Sequence, residues 1–504
     1  MMRRGSRLLA LVASVLFLIA SASLPGKARA DDVYVVYFPW VSNNETIGGQ
    51  GPWSSTLAIH NLSNNPCPMS VYVVQTSGWN KTAQLSLNAA STRSIAALSL
   101  GVPKPGSPVR LEATCPIAAS VKAFAPATSA APWSDGAGII TGYTGLSEFD
   151  IAASRNGPDA GWVLPLVQTN TGWNTLVTIA NLGTTRADVT LNLYATGNED
   201  GADGATLSLQ QEIAAGGVWT IDAQSALGQT GWVGFARITA SGNVGVIARR
   251  VKPSAQMAMI NVGVATSSFA SGAYRSAAPL LFNNYNGWNT GITLANPSAI
   301  PATVTVEYHE AGGGYVSNTE VVVPPFSMQY IYTPGSVAQD GFVGGANILS
   351  NVPIISSIDE VKYETIEGLS YMANAGGQSE VTIPIVFREN PKYLQHDNSG
   401  IAIANLDPAA SVTVAIGFLS LYGADLLPTP IQLTIPAGGV GTIYLPFVDG
   451  LPAGTVATAR LTTASPAGIV AVSNDVNYTV AGDGSVVFNA WGATGSYIAG
   501  GAGQ

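Results

Sequence analysis

The sequence predicts an all-β protein: a tandem array of four immunoglobulin-like or jelly-roll-like antiparallel β-sandwich repeats of about 110 residues each. Three observations predict this class. One short stretch of sequence occurs four times in the 504 residues. Short runs of alternating apolar and polar residues recur between turn residues, as expected for many short strands. Glycine (56) and proline (30) are frequent, and beyond the N-terminus no stretch longer than about ten residues has a helical period.

The repeated stretch is clearest at residues 172–182, which read Gly-Trp-Asn-Thr-Leu-Val-Thr-Ile-Ala-Asn-Leu. Further copies lie at 287–297 and, more weakly, at 52–62, and a fourth at 397–406 has Asp397 in place of Trp. Each copy has a hydroxyl residue two places after the Trp position, aliphatic residues four and six places after it, and Asn eight places after it. Because side chains alternate along a strand, the two aliphatic residues face the same core.

The Trp and Asn positions are predicted to be structural. An even spacing places the Trp ring on the face of the inward aliphatic residues, where it fills the end of the core; the alternative is an exposed ring that stacks on sugars. The Asn is expected to end the strand, because its side chain can bond its own backbone in a turn. In the fourth copy we expect another residue, such as Phe387 or Tyr393, to close the core. The repeat-motif residues are Trp53, Trp173, Trp288, Asn61, Asn181, Asn296 and Asn405.

Each copy is preceded by an apolar residue and proline, at Pro39, Pro165, Pro279 and Pro384. Proline lacks a backbone donor, so this pattern predicts an edge strand or the first position of a strand. Segments rich in Ser, Ala and Gly separate the copies. The predicted organisation is a signal peptide at 1–30 and β-sandwich repeats at 31–155, 156–270, 271–377 and 378–504. Each repeat is long enough to form its own hydrophobic core. The linkers are short enough for neighbouring repeats to touch.

The N-terminus is typical of a secretory signal peptide. Arg3, Arg4 and Arg7 precede an apolar run, and Ala28-Arg29-Ala30 forms a small-residue cleavage site before Asp31. The alternative is a retained anchor, but the apolar run is shorter than the roughly 20 residues of a spanning helix. We therefore expect export to the cell surface or outside the cell, with no transmembrane segment in the mature chain.

Composition narrows the possible partners. Only 10% of residues are charged and the net charge is −9, so nucleic acid is not an expected partner. Cys67 and Cys115 lie in the first predicted repeat, and in an oxidising compartment they are candidates for a disulfide; the alternative is two free thiols. The expected partners are cell-wall or surface polymers, neighbouring surface proteins or further copies of the chain.

The order of motifs in each copy resembles the repeats of exported bacterial cell-surface proteins. That order is a Pro strand, a Gly-Trp-Asn-Thr strand, an Asn turn, a Val-Thr-Val strand, a Pro-Ala-Gly turn, a Gly-Phe-x-Gly-x-Ala strand and a Pro-Ile strand. Each repeat is also distantly similar to the sensory rhodopsin transducer domain, a small β-sandwich. The resemblance covers nearly all of residues 33–495 and implies a β-sandwich. It implies no chemistry, because its motifs are turns and strand patterns.

No motif in the sequence predicts catalysis or a cofactor. His60 occupies a position that is Ala in the three other copies, and no nucleophile elbow, zinc-protease helix or phosphate-binding loop occurs. An acidic loop with Asp200 and Asp203 has oxygen ligands suited to Ca²⁺ but lacks EF-hand spacing, and a solvated hairpin loop is the favoured interpretation. The sequence thus favours a non-enzymatic, exported cell-envelope or surface protein that acts as a structural scaffold, adhesion or surface-layer component. The alternative is a carbohydrate-binding, lectin-like secreted protein.

Overall fold

The computed structural model describes residues 33–76, 78–126, 138–155, 160–197, 205–255, 257–266, 274–364, 367–389, 397–476 and 486–492. These residues form an all-β structure of antiparallel sheets, which confirms the predicted class. Val33–Gln504 is one compact unit. The predicted signal peptide and Tyr393 lie outside the described residues.

The strands fall into four stretches of sequence, here called blocks 1 to 4: residues 34–147, 162–265, 274–372 and 380–492. Block 1 contains β1 (Tyr34–Ile47), β2 (Gln50–Asn61), β3 (Cys67–Gln75), β4 (Gly78–Leu87), β5 (Thr92–Ala96), β6 (Gly106–Ala113), β7 (Ile117–Pro126), β8 (Gly138–Thr144) and β9 (Leu146–Ser147). Block 2 contains β10 (Trp162–Gln168), β11 (Asn174–Asn181), β12 (Ala187–Ala195), β13 (Leu207–Ile213), β14 (Val218–Asp222), β15 (Val233–Ala240), β16 (Val244–Lys252), β17 (Met257–Val262) and β18 (Val264–Ala265).

Block 3 contains β19 (Tyr274–Asn283), β20 (Asn289–Asn296), β21 (Ala302–Glu310), β22 (Tyr315–Val323), β23 (Ser327–Tyr332), β24 (Phe342–Ser350), β25 (Ile355–Lys362) and β26 (Glu367–Met372). Block 4 contains β27 (Glu380–Arg388), β28 (Asn398–Asn405), β29 (Val412–Ser420), β30 (Ile431–Ile435), β31 (Val440–Tyr444), β32 (Thr455–Thr463), β33 (Ile469–Val476), β34 (Val486–Asn489) and β35 (Trp491–Gly492). Two short α-helices, α1 (Glu148–Ala153) and α2 (Ala223–Leu227), follow β9 and β14. Among the described residues, no helix has the length and apolar character that crossing a membrane requires.

Blocks 2, 3 and 4 each contain two sheets with matching strand orders. The first sheets run β13-β12-β15-β10-β18, β22-β21-β24-β19 and β30-β29-β32-β27-β35. The second sheets run β14-β11-β16-β17, β23-β20-β25-β26 and β31-β28-β33-β34. In block 1 the strands pair in the same order. However, the long strand β1 pairs with both β6 and β2, and it thereby joins the two sheets into one.

The core of each block lies between its two sheets. In block 3, Ile292 and Leu294 of β20 pack with Val304 and Val306 of β21, and all four are fully buried. Block 4 has a core of its own. A single hydrophobic cluster, however, runs through blocks 1 and 2. Burial of apolar surface thus holds adjoining blocks together as well as stabilising each one.

The proline that begins each block lies at a β-bulge. The register shifts between Phe38 and Val41 in β1, and equivalent shifts occur around Pro165, Pro279 and Pro384. β19 lies at the edge of its sheet, as expected. β1, β10 and β27 have partners on both sides, but no described residue pairs with the proline itself. A bulge leaves one residue out of the hydrogen-bond ladder, and this is what allows proline inside a sheet.

The four blocks form a closed ring. The last strand of each second sheet lies at the centre, where β8 contacts β17 and β34, and β26 contacts the same two strands. Block 4 therefore packs against block 1 as well as against block 3. The sequence predicted an array of four units; the contacts show that the line of blocks returns to its start.

Candidate functional site: the interfaces between blocks

Every pair of neighbouring blocks is joined by one turn, the turn that precedes the edge strand of the second sheet (β5, β14, β23 or β31). In block 3 this turn holds Phe326 at φ 47°, and the Phe326 ring stacks on Tyr194 of block 2 at 5.7 Å. Corresponding hydrogen bonds run from Thr196 Oγ1 to Met328 O, from Asn347 Nδ2 to Gly438 O and from Thr92 N to Leu421 O, and Gly216 lies against Val74. The turn contact between blocks 4 and 1 is of the same kind as the others, so the ring closes through the turn contact that joins the other blocks.

The four repeat-motif asparagines anchor these turns. Each is fully buried, and each Oδ1 accepts a hydrogen bond from the backbone N–H two residues further on, which is the Asn turn expected from the sequence. Each Nδ2 donates to a carbonyl in the same turn and to the end of the next hairpin. The acceptors are Asn65 and Asn88 for Asn61, Thr185 and Ile213 for Asn181, Ile300, Val323 and Pro324 for Asn296, and Ala410, Ile435 and Pro436 for Asn405. The asparagines thus fix the turns that reach the neighbouring blocks.

The repeat-motif tryptophans are buried, and two of them belong to hydrophobic clusters that include residues of the next block. Trp53 packs in a cluster with Val251 of block 2, and Trp173 packs in a cluster with Val361 of block 3. Trp288 belongs to the core of block 3. None of the three rings is more than 5% exposed, so none offers a face to a sugar.

Asp397, which takes the Trp position in block 4, forms an ion pair with block 1. Lys122 Nζ lies 3.0 Å from Asp397 Oδ2, also contacts Asp475 Oδ2, and is 4.9 Å from the ring of Phe387. Although burial alone lowers the pKa of Lys122, the carboxylates of Asp475 and Asp397 raise it above its usual value. Burial raises the pKa of Asp475 from 3.8 to about 7, with a further contribution from the neighbouring Asp397 carboxylate, although Lys122 acts to lower it. The loss of the Trp is thus accompanied by a polar joint between blocks.

A buried ion pair also joins blocks 1 and 2. Arg249 Nη1 lies 2.6 Å from Glu45 Oε1, while Glu45 Oε2 accepts hydrogen bonds from Trp40 Nε1 and Ser42 Oγ at 2.7 and 2.6 Å. Arg249 Nε donates to Thr178 Oγ1. Both oxygens of the carboxylate therefore have partners, a condition under which a buried pair can offset its loss of hydration.

Blocks 2 and 3 are joined by a two-pronged ion pair. The two terminal nitrogens of Arg250 lie 2.5 Å from the two oxygens of Asp359, and Arg250 also donates to Asn261 Oδ1 and Ser370 Oγ. Ser370 in turn donates to Asp359 at 2.6 Å. The guanidinium is fully buried, and its five-donor fork is matched by acceptors on two blocks.

The interface between blocks 3 and 4 has no ion pair among the described residues. Its polar contacts include hydrogen bonds from Asn347 Nδ2 to Gly438 O and from Asn489 Nδ2 to Met372 O. Glu360, the neighbour of Asp359 on β25, is fully buried, and neither of its carboxyl oxygens has a hydrogen-bond partner. Burial raises the pKa of Glu360 well above its usual value, with a further contribution from Asp359. A carboxyl group in this position is held in its neutral form.

His60 and the two cysteines occupy structural positions. Burial lowers the pKa of His60 to about 4, with a smaller contribution from Arg460, and its Nδ1 lies 2.8 Å from Thr92 Oγ1. A disulfide joins Cys67 to Cys115, with their Cα atoms 5.7 Å apart, and links the start of β3 to the segment before β7. Closing a loop of this length can stabilise the fold by about 3–4 kcal/mol.

Asp200 and Asp203, the candidates for calcium, lie outside the described residues. Within the described part of the chain, no cluster of three or more His, Cys, Asp or Glu side chains is placed to hold a metal ion.

No protein-family model matches the sequence, and no curated protein is significantly similar to it.

Proposed function

We propose that the chain is an exported, non-enzymatic protein of the cell envelope or outer surface that acts as a structural scaffold, adhesion or surface-layer component, built from four tandem copies of one β-sandwich. The observation that carries the proposal is that the same turn-mediated contact joins every pair of neighbouring blocks, including blocks 4 and 1. A closed ring of sandwiches is a rigid body that can present four similar surfaces at fixed spacing. Weak contacts made by such surfaces add together when they engage one polymer or one cell surface.

The charged groups inside the protein support a structural role. Arg249, Arg250 and Lys122 are each engaged with carboxylates of another block. His60 is buried with a lowered pKa, which makes it a poor proton carrier near neutral pH. These residues hold the ring together and are not directed into a cleft.

Fractionation of cells tests this proposal. The full-length chain is expressed in a bacterium that exports proteins, and the mature N-terminus, the cell fraction and binding to isolated cell walls are measured. We expect a chain that begins at Asp31 and is found in the surface or extracellular fraction, where it binds walls or itself without turnover of wall material. Retention in the cytoplasm, or release of sugar or peptide fragments from walls, would contradict the proposal.

A second candidate is a carbohydrate-binding protein, and the aromatic residues of block 4 favour it. Tyr422 and Phe447 are 84% and 83% exposed, unlike the buried tryptophans of the repeated stretch. Rings exposed to solvent can offer an apolar face to a sugar, which the buried tryptophans cannot. A glycan array probed with the purified mature protein separates this candidate from a scaffold that contacts only proteins.

A further inference from the structure

A cleft of about 420 Å³ opens where block 4 meets block 1. Its volume lies in the range of small-ligand sites, which often form between packed units. Block 1 contributes the hydroxyl and amide groups that line it, and block 4 contributes most of the apolar side chains. The lining residues are Ser86, Leu87, Asn88, Ser91, Thr92, Arg93, Ser94, Ile385, Phe387, Leu421, Tyr422 and Val456.

The cleft has one face suited to C–H groups and another suited to polar groups. Ile385 and Phe387 are buried and pack with Val456, which gives an apolar floor. Tyr422 stands at the cleft with its ring 84% exposed. A sugar ring presents the same combination, with a face of C–H groups and an edge of hydroxyls, and an aromatic ring is a favourable support for such a face.

Arg93 supplies the only cationic group of the lining. Its side chain is exposed, and it forms no ion pair with an acidic residue among the residues described. This sets Arg93 apart from Arg249 and Arg250, whose charges are neutralised by carboxylates. A guanidinium with free donors matches a carboxylate in two-point geometry. The net charge of −9 opposes an anion in the cleft only weakly, because charges more than about 10 Å away are largely screened at 0.1 M salt.

We propose that this cleft binds a carboxylate-bearing sugar unit, of the uronic-acid type, with the carboxylate on Arg93 and the ring against Tyr422. The inference rests on the carbohydrate-binding candidate and does not depend on where the protein resides. Binding in solution tests the cleft, while fractionation of cells tests export and surface location, so either idea can fail without the other.

The test is isothermal titration calorimetry on the full mature chain with a tetramer of galacturonic acid and a neutral tetramer of galactose. We expect the acidic tetramer to bind more tightly. The Arg93→Ala change should weaken its binding by about tenfold, and the Arg93→Lys change by less, because lysine keeps the charge but not the two-point geometry. The Tyr422→Ala change should weaken both tetramers.

Two matched variants serve as controls. Arg186→Ala removes an exposed arginine that is paired with Glu212, and Tyr315→Ala removes an exposed tyrosine on β22; neither residue lines the cleft. Neither change should alter binding, and all four residues are exposed, so the melting temperatures should stay close to that of the unchanged protein. Equal binding of the two tetramers, no binding of the acidic one, or an equal loss in Arg186→Ala would overturn the proposal.

Discussion

The interface between blocks 2 and 3 (interface 2–3) and the interface between blocks 3 and 4 (interface 3–4) are built alike but carry different charges. The strand registers place Arg250 opposite Thr175 and Glu360 opposite Thr290, so the two residues occupy the same position in consecutive blocks. In the same way, Asp359 corresponds to Asn474, since each lies opposite a glycine of the repeated stretch. Interface 2–3 therefore brings an arginine to an aspartate, whereas the corresponding positions at interface 3–4 are a glutamate and an asparagine.

The comparison shows that a position can be fixed by geometry while its chemistry varies. Asp359 and Glu360 are adjacent on β25 and point to opposite faces of the sheet. Asp359 has Arg250 and Ser370 as partners, whereas Glu360 has no hydrogen-bond partner for either oxygen and its pKa is raised well above its usual value by burial. Burial is common to both residues, so the available cation decides the difference.

Removing the arginine should have the largest effect. Arg250→Met leaves Asp359 buried without its cation, and we expect a loss of about 3–5 kcal/mol in the free energy of unfolding. The double change Arg250→Met with Asp359→Leu should be less harmful than the single change, because no uncompensated charge remains. Urea denaturation of the three proteins at pH 7.5 measures both effects. A double variant that is less stable than Arg250→Met would show that the pair stabilises the interface beyond mutual neutralisation.

The apolar part of interface 2–3 can be weakened at Trp173. Trp173→Ala removes a buried ring that packs with Met257, Met259 and Val361, and we expect a loss of about 3–4 kcal/mol from the resulting cavity. Binding to any surface partner should fall only as far as folding falls. Trp288→Ala is the matched change inside block 3, and thermal unfolding compares the two. An unchanged melting temperature in Trp173→Ala, together with lost glycan or wall binding, would assign the ring to a ligand instead of the interface.

Replacing Glu360, whose carboxyl group has no hydrogen-bond partner, should increase the stability of the protein. Glu360→Gln keeps the shape and removes the acid, so we expect a gain of about 1–2 kcal/mol at pH 8, because burial penalises the ionised carboxylate in the folded chain but not in the unfolded chain. Because the folded-state pKa is raised, this glutamate lowers stability as pH rises above its ordinary value. The gain should therefore vanish near pH 4. Chemical denaturation at the two pH values measures it, and an equal gain at both would rule out the protonated carboxyl.

At the interface between blocks 4 and 1 (interface 4–1), two carboxylates share one cation, which is intermediate between the paired Asp359 and the unpaired Glu360. We expect a smaller effect on stability there. The pKa of Asp475 rises from 3.8 to about 7 on folding, so the folded protein binds the extra proton and stability falls as pH increases between those values. His60, whose pKa falls from 6.5 to about 4, acts in the opposite direction over an overlapping range. In the Asp475→Asn variant, Lys122 keeps its ion pair with Asp397, and stability should fall less steeply as the pH increases. Melting temperatures from pH 4 to pH 8 test this, and an unchanged slope would exclude Asp475 as its source.

The sequence allowed prediction of the features that depend on local pattern. The all-β class followed from alternation and turn residues, and the Asn turns followed from the ability of asparagine to bond its own backbone. The interfaces were missed. Arg249-Arg250 interrupt a strand that is otherwise largely apolar, and this was the available signal; the strand of Asp359-Glu360 also contains Ser356 and Ser357 and carries no such signal. Their partners lie in other blocks, so spacing along the chain could not identify them.

Closure at interface 4–1 also fixes the number of blocks. An open array can gain or lose a unit at either end, and each end then needs a polar cap. In this ring each block packs between two others, and the central strands β8, β17, β26 and β34 leave no position for a fifth. Adding or removing one block would change the angle between the blocks at every interface of the ring. Changes in the loops and surface charges are therefore easier to accommodate than the gain or loss of a block.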